Sequence, residues 1–145
     1  MPDNTTARAY LEFIGSRATE VEIDDDGFID FDLNGNSYML SAERDGDGPE
    51  FLAISCEIME VVEEGVALAL CAANVVNAEI ACAKVFMTEE NVVTVSVEIM
   101  AGQPGGLPGV FDAMMDALDS GADSFLSTFD AFNKENEAGE EDEEA

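Results

Sequence analysis

Histidine is absent from this 145-residue chain, and only Arg8, Arg17, Arg44, Lys84 and Lys134 are basic. The first absence removes the ordinary base of Ser/His and Cys/His nucleophilic sites and the commonest metal ligand. The second leaves too few cations to cradle a phosphate. Carboxylates are so abundant that no pair stands out as an acid–base couple. The chain therefore reads as non-enzymatic, with no catalytic residue, no cofactor and no resident metal. Against the five cations stand 33 acidic residues, a formal charge of −28. Nucleic-acid binders gain affinity by neutralising phosphates with Lys and Arg, and a surface of this sign repels a polyanion over about 8 Å at physiological salt. Nucleic acid and anionic membranes are thereby disfavoured as partners. A basic or neutral protein, bound cations, or solubility in high salt each fit the charge.

Long apolar runs are also missing. The longest, residues 66–73, is broken by Asn74, Asn77 and Glu79, far short of the roughly 18 residues of a membrane span. The opening MPDNTTARAYLEFIG has neither the basic nor the apolar region of a signal peptide. Cys56, Cys71 and Cys82 are odd in number, form no CxxC pair and sit in apolar runs, so buried reduced thiols are expected. These features together point to a cytoplasmic protein.

What is present is core-forming material. Hydrophobic residues make up 47% of the chain, which sets it apart from disordered acidic sequences. One domain is expected at 1–133. The tail 134–145 is a low-complexity acidic run expected to be disordered. Residues 6–17 predict an amphipathic helix with Tyr10, Leu11 and Ile14 on one side and Thr5 or Thr6 as N-cap. Period-two alternation follows: Val21 and Ile23, then Ile29, Phe31 and Leu33, each between acids. Asn34-Gly35 predicts a type I′ hairpin into SYMLSA. After a loop at 44–49, Leu52, Ile54, Cys56 and Ile58 share a strand face. A helix over 62–80, strands ACAKVFMT and VVTVSVEI joined at Glu89-Glu90-Asn91, and a helix over about 109–133 complete the chain. The class is α+β, an antiparallel sheet in the order α-β-β-β-β-α-β-β-α.

The two long helices differ. The last places Phe111, Met114, Met115, Leu118, Ala122, Phe125, Phe129 and Phe132 on one face, with Asp112, Asp116, Asp119, Asp123 and Asp130 opposite. This is a core stripe, or a groove for a partner peptide. In the central helix Val66, Leu70, Ala73, Val76 and Ile80 form one apolar face, and Leu68, Cys71, Val75 and Ala78 another. A helix apolar nearly all round is covered on two sides. The sheet covers one, and the last helix or a second subunit the other. Leu68, Cys71 and Val75 are therefore the candidate dimer or partner interface, a two-fold homodimer being the simplest closed arrangement.

EIDDDGFIDFDL, residues 22–33, imitates a calcium loop with Asp24, Asp26, Gly27 and Ile29 in place. Glu22 and Leu33 then occupy the first and last ligand positions, and both flanks read as strands. A hairpin turn at Asp24-Asp25-Asp26-Gly27 is the expectation, with weak divalent binding there or at Asp45-Gly46-Asp47 left open.

This element order, the hairpin after Asp26-Gly27-Phe28 and the Ala-Ala-Asn-x-x-Asn stretch at 72–77 resemble the YbjN-type domain family over residues 6–133. The resemblance implies the fold of class I type III secretion chaperones, an acidic and often dimeric protein without a catalytic site. It implies client binding along apolar grooves and strand edges, as in β-augmentation. The expected function is a chaperone-like or regulatory protein-binding module whose partner is a protein client or a second copy. The alternatives are a cation-responsive acidic binding protein and a salt-adapted YbjN-like regulator. The tail holds seven acids and one lysine, a net −6, so residues 1–133 hold −22. Residues 65–88 carry only Glu79 and Lys84, and that uncharged strip is where a partner is expected.

Overall fold

The computed structural model describes residues 5–44, 46–102 and 105–144. In chain order it comprises α1 (Thr5–Arg8), α2 (Leu11–Arg17), β1 (Glu20–Ile23), β2 (Ile29–Leu33), β3 (Asn36–Arg44) and β4 (Glu50–Glu60). A 3-10 turn (Glu63–Gly65), α3 (Val66–Glu79), β5 (Ala83–Met87), β6 (Val92–Ala101) and α4 (Leu107–Glu144) follow. The architecture is α+β, with one six-stranded antiparallel sheet ordered β1-β2-β3-β4-β6-β5.

Local chemistry makes the hairpins. Asp24 Oδ1 accepts the backbone N–H of Asp26 at 2.9 Å and of Phe28 at 3.0 Å, and Gly27 takes φ 86°. The acidic turn is thus the expected hairpin, with this oxygen engaged in holding it. Asn34 and Gly35 sit at φ 54° and 83°, the two positive values that a type I′ turn requires. Between β5 and β6, Asn91 at φ 63° closes a turn in which Thr88 Oγ1 accepts the Val92 N–H.

The N-terminal segment departs from the single helix expected over 6–17. It breaks at Ala9-Tyr10, so two helices precede β1 and the element order differs from the one expected. The break lets Ala7, Tyr10 and Ile14 all reach the core. Tyr10 donates its hydroxyl to Glu50 Oε1, a carboxylate only 2% exposed. Burial, reinforced by this carboxylate, pushes the Tyr10 pKa up to about 12. Thr5 and Thr6 lie within α1 and not at the position before it. Thr6 instead donates to the Ala42 carbonyl on β3.

One face of the sheet is the core. Ile29, Phe31, Leu40, Leu52, Ile54, Val93, Val95 and Val97 point into it, and α4 lays Phe111, Met114, Leu118 and Phe125 across them. The α4 aspartates at 112, 116, 119, 123 and 130 are all exposed. The predicted end near 133 and disorder from Lys134 differ from the structure, in which α4 continues to Glu144. Glu and Ala favour helix, and Lys134 pairs with Asp130 one turn back at 3.0 Å. Residues 134–139 are exposed, outside the core.

The central helix turns differently from expectation. Its buried residues are Ala69, Ala72, Ala73 and Val76, whereas Leu70 is 49% exposed. An all-round apolar pattern leaves helix rotation undetermined, and the close approach to α4 and β5 selects the alanine face because it is the smallest. The cysteines are also corrected: Cys56 is half-buried, while Cys71 and Cys82 are exposed, and all three are free.

At the crossing of α4 over the sheet, a Cβ on Gly121 would lie 2.9 Å from Val95 Cγ2 and 3.1 Å from Ala83 Cβ. Gly121→Ala gains up to about 1 kcal/mol of helix propensity, but overpacking costs about 1–3 kcal/mol. Urea denaturation of this variant is expected to give a net loss of about 1 kcal/mol. A gain in stability would show that α4 does not pack this closely.

Candidate functional site

The sheet has a second face, and the helices all pack on the first. Antiparallel registry defines this outer face row by row. In one row Glu22, Asp30, Met39, Ser55, Ser96 and Lys84 run from β1 to β5. A second row takes Glu20, Asp32 and Ser37 on β1–β3, then Glu57, Thr94 and Phe86 on β4, β6 and β5. Glu43, Phe51 and Met100 form a row at the far end of the long strands. Four large apolar side chains stand out to solvent here: Met39 at 39%, Phe51 at 47%, Phe86 at 37% and Met100 at 63% exposure. Between them lie the small residues Ser41, Ala53, Ser55 and Ser96, and the exposed Glu98 beside Ala53. A patch of large apolar residues on a sheet marks an interaction surface more often than an isolated one does.

Two shallow depressions mark this face. One, of about 710 Å³, joins Asp30 and Asp32 to Met39, Phe86 and Thr94. The other, of about 520 Å³, lies around Phe51, Ala53 and Met100. Thr94 is buried, and its hydroxyl has no hydrogen-bond partner among the described residues. The acids concentrate on the β1–β2 side, where Asp30 has its carboxyl pushed above the usual range by burial and by the charges of Asp24 and Glu22. The one lysine of the face, Lys84, is tied to Glu98 at 3.2 Å and lies over the Phe86 ring.

The sheet's two edges differ. At β5, Asn77 of α3 donates from Nδ2 to the Val85 carbonyl at 2.9 Å and accepts the Val85 N–H at Oδ1 at 2.8 Å. One side-chain amide thus takes the place of a neighbouring strand and blocks that edge. The Asn of the 72–77 stretch is therefore a structural clamp, and the expectation of strand addition at exposed edges is narrowed to the short acidic β1.

The sequence-nominated residues lie on α3. Cys71 is exposed, while Leu68 and Val75 are half-buried at the border of the core-facing side. The helix brings these three together along one border. The outward face itself is Ala67, Leu70, Cys71, Asn74 and Ala78, exposed and uncharged. Sequence reasoning missed both this assignment of Leu70 and the whole outer sheet face. Its signal was available, since Met39, Phe51, Phe86 and Met100 are the large apolar residues at positions whose period-two neighbours already fill the core.

A third depression, about 290 Å³, lies on the helix side between the β2–β3 turn and α4, with Asp112, Asp116 and Asp119 on one wall. Arg17 spans it to Asp112 at 3.0 Å. Nearby, burial and then Asp119 push up both the Tyr38 hydroxyl and the Cys56 thiol, which keeps this cysteine from being a ready thiolate. Among the described residues no group of three or more His, Cys, Asp or Glu could hold a metal ion. Asp45 of the second acidic turn lies outside them. Among the same residues no helix is long and apolar enough to cross a membrane.

Asn77→Ala leaves two backbone groups of Val85 without their partner, at a cost of about 1–3 kcal/mol. Urea denaturation should report that loss, and light scattering should report new association through the opened β5 edge. Wild-type values in both measurements would show that the clamp is dispensable. No family model matches the chain, and no curated protein matches it significantly.

Proposed function

We infer that this protein is a non-enzymatic protein-binding module, a chaperone-like or regulatory adaptor of the YbjN type. The observation that carries this reading is the outer sheet face, where Met39, Phe51, Phe86 and Met100 are exposed together. Soluble domains rarely leave several such residues exposed on one face without a use, whereas the acid around them keeps the free protein dispersed. The resemblance in the hairpin after Asp26-Gly27-Phe28 and in the 72–77 stretch, with the lack of histidine, supports the same reading. Salt adaptation accounts for the acids and leaves the apolar residues unexplained.

A second copy is the partner favoured for α3, because its outward face is apolar or neutral over its whole length, with Leu70 49% exposed. A two-fold contact there brings no like charges together, in contrast to one made through the acidic β1–β2 side. The cytoplasm is the compartment that fits three free cysteines, two of them exposed.

Phe51→Ser combined with Met100→Ser removes exposed side chains only and is expected to change stability by no more than about 0.5 kcal/mol per site. Affinity capture from the native host should recover a stoichiometric protein with the wild type and lose it with this double variant. Equal recovery by both would sink the outer-face reading. For the dimer, light scattering is expected to give twice the 15.5 kDa chain mass and to return to one chain mass for Leu70→Glu. A monomeric wild type at micromolar concentration overturns the dimer alone.

A further inference from the structure

The outer face juxtaposes two features that rarely share a sheet. Across β1 and β2, Glu20 faces Asp32 and Glu22 faces Asp30 in direct antiparallel register. Like charges directly opposite destabilise a sheet, so these pairs work against the fold. No ion pair among the described residues relieves them: Arg17 goes to Asp112, Lys84 to Glu98 and Lys134 to Asp130. Immediately beside the acids, the β3–β6 part of the same face carries Met39, Phe51, Phe86 and Met100 among small residues, with Glu43, Glu57 and Glu98 between them and Glu98 held by Lys84. The larger of the two depressions joins the two parts, since Asp30 and Asp32 share its wall with Met39, Phe86 and Thr94.

The chemistry of an occupant follows by elimination. A second copy would set carboxylates against carboxylates on a chain of charge −28. Nucleic acid and anionic lipid meet the same repulsion. A simple cation satisfies the acids and makes no use of the Met and Phe side chains. A polypeptide segment with both cationic and apolar side chains satisfies both. We propose that the helix-free face of the sheet docks a cationic amphipathic segment of another protein, with its Lys or Arg side chains on Glu20, Glu22, Asp30 and Asp32 and its apolar side chains on Met39, Phe51, Phe86 and Met100. This rests on the protein-binding reading above and adds the chemistry of the partner.

The probe is a fluorescein-labelled synthetic peptide alternating Lys with Leu, titrated with the full chain and followed by anisotropy. A Lys–Ser peptide of equal charge and length is the control. Saturable binding is expected for the Lys–Leu peptide at about 50 mM salt, weakening roughly tenfold or more at about 500 mM as the ion pairs are screened. The Lys–Ser peptide should bind about tenfold less tightly, the factor that about 1.4 kcal/mol of apolar contact supplies. Glu22→Gln with Asp30→Asn, and separately Phe51→Ser with Met100→Ser, should each weaken the Lys–Leu peptide about tenfold. Leu126→Ser, an exposed apolar residue on α4 away from the outer face, should leave it unchanged, and circular dichroism of each variant confirms that it is folded. Equal affinity for the two peptides, or wild-type affinity in both outer-face variants, means polyelectrolyte attraction only and overturns the proposal. If the peptide fails while the host partner is still lost from Phe51→Ser/Met100→Ser, the cationic occupant is wrong and the binding module stands. If neither binds, both fall.

Discussion

Everything in this molecule depends on the burial of one face of a six-stranded sheet beneath α4. The inward residues of β2, β3, β4 and β6 alternate with outward ones, so a single helix laid across them converts half of each strand into core. Close approach is what makes the burial effective, and at Gly121 α4 lies so near Val95 and Ala83 that a Cβ there would not fit without a shift. A side chain there would lift the helix and open gaps on both sides, because interiors tolerate little mismatch in volume. The aspartates on the far side of α4 contribute nothing to this contact and repel one another. The helix therefore holds its shape through its aromatic stripe.

A sheet covered on one side leaves another side to be accounted for. In most antiparallel sheets of this kind the wet face is polar. Here it is divided: carboxylates face one another across β1 and β2, and apolar side chains stand out over β3 to β6. The first costs stability and the second costs solubility, and neither is needed by the core. Features that oppose folding on both counts are where function is sought, because local conflicts with the fold concentrate at functional sites. The edge at β5 shows the opposite treatment. Asn77 occupies the backbone groups of Val85, and strand pairing there is closed off. Closed at β5 and uncovered on its outer face, the sheet presents a surface for side chains to dock more than an edge for strands to extend.

The N-terminal segment shows how a buried polar pair can override helical periodicity. The Tyr10–Glu50 and Thr6–Ala42 hydrogen bonds draw the chain inward at two points. A continuous helix over 6–17 cannot present Ala7, Tyr10 and Ile14 to that surface and keep its axis straight, so it breaks at Ala9-Tyr10. The tyrosine, its ionisation pushed up to about 12 by burial and by Glu50, stays a donor across the physiological range and keeps the carboxylate satisfied.

The α+β class, the strands, the Asp24–Gly27 and Asn34-Gly35 turns, and the core face of α4 were legible in the sequence. Each is set by a local rule: period two along a strand, positive φ in a tight hairpin, an aromatic stripe at helical spacing. Other features were decided only by tertiary packing. The rotation of α3, and with it the exposure of Leu70 and Cys71, depends on which side of an all-apolar helix is small enough to meet α4 and β5. The role of Asn77 depends on Val85 arriving beside it from another element. The outer face exists as a surface only once β6 inserts between β4 and β5, bringing Met100 next to Phe51 and Phe86 next to Thr94. Acidity was plain from composition, but that the acid borders an apolar floor on the uncovered side of the sheet is a matter of strand registry, which no local pattern encodes.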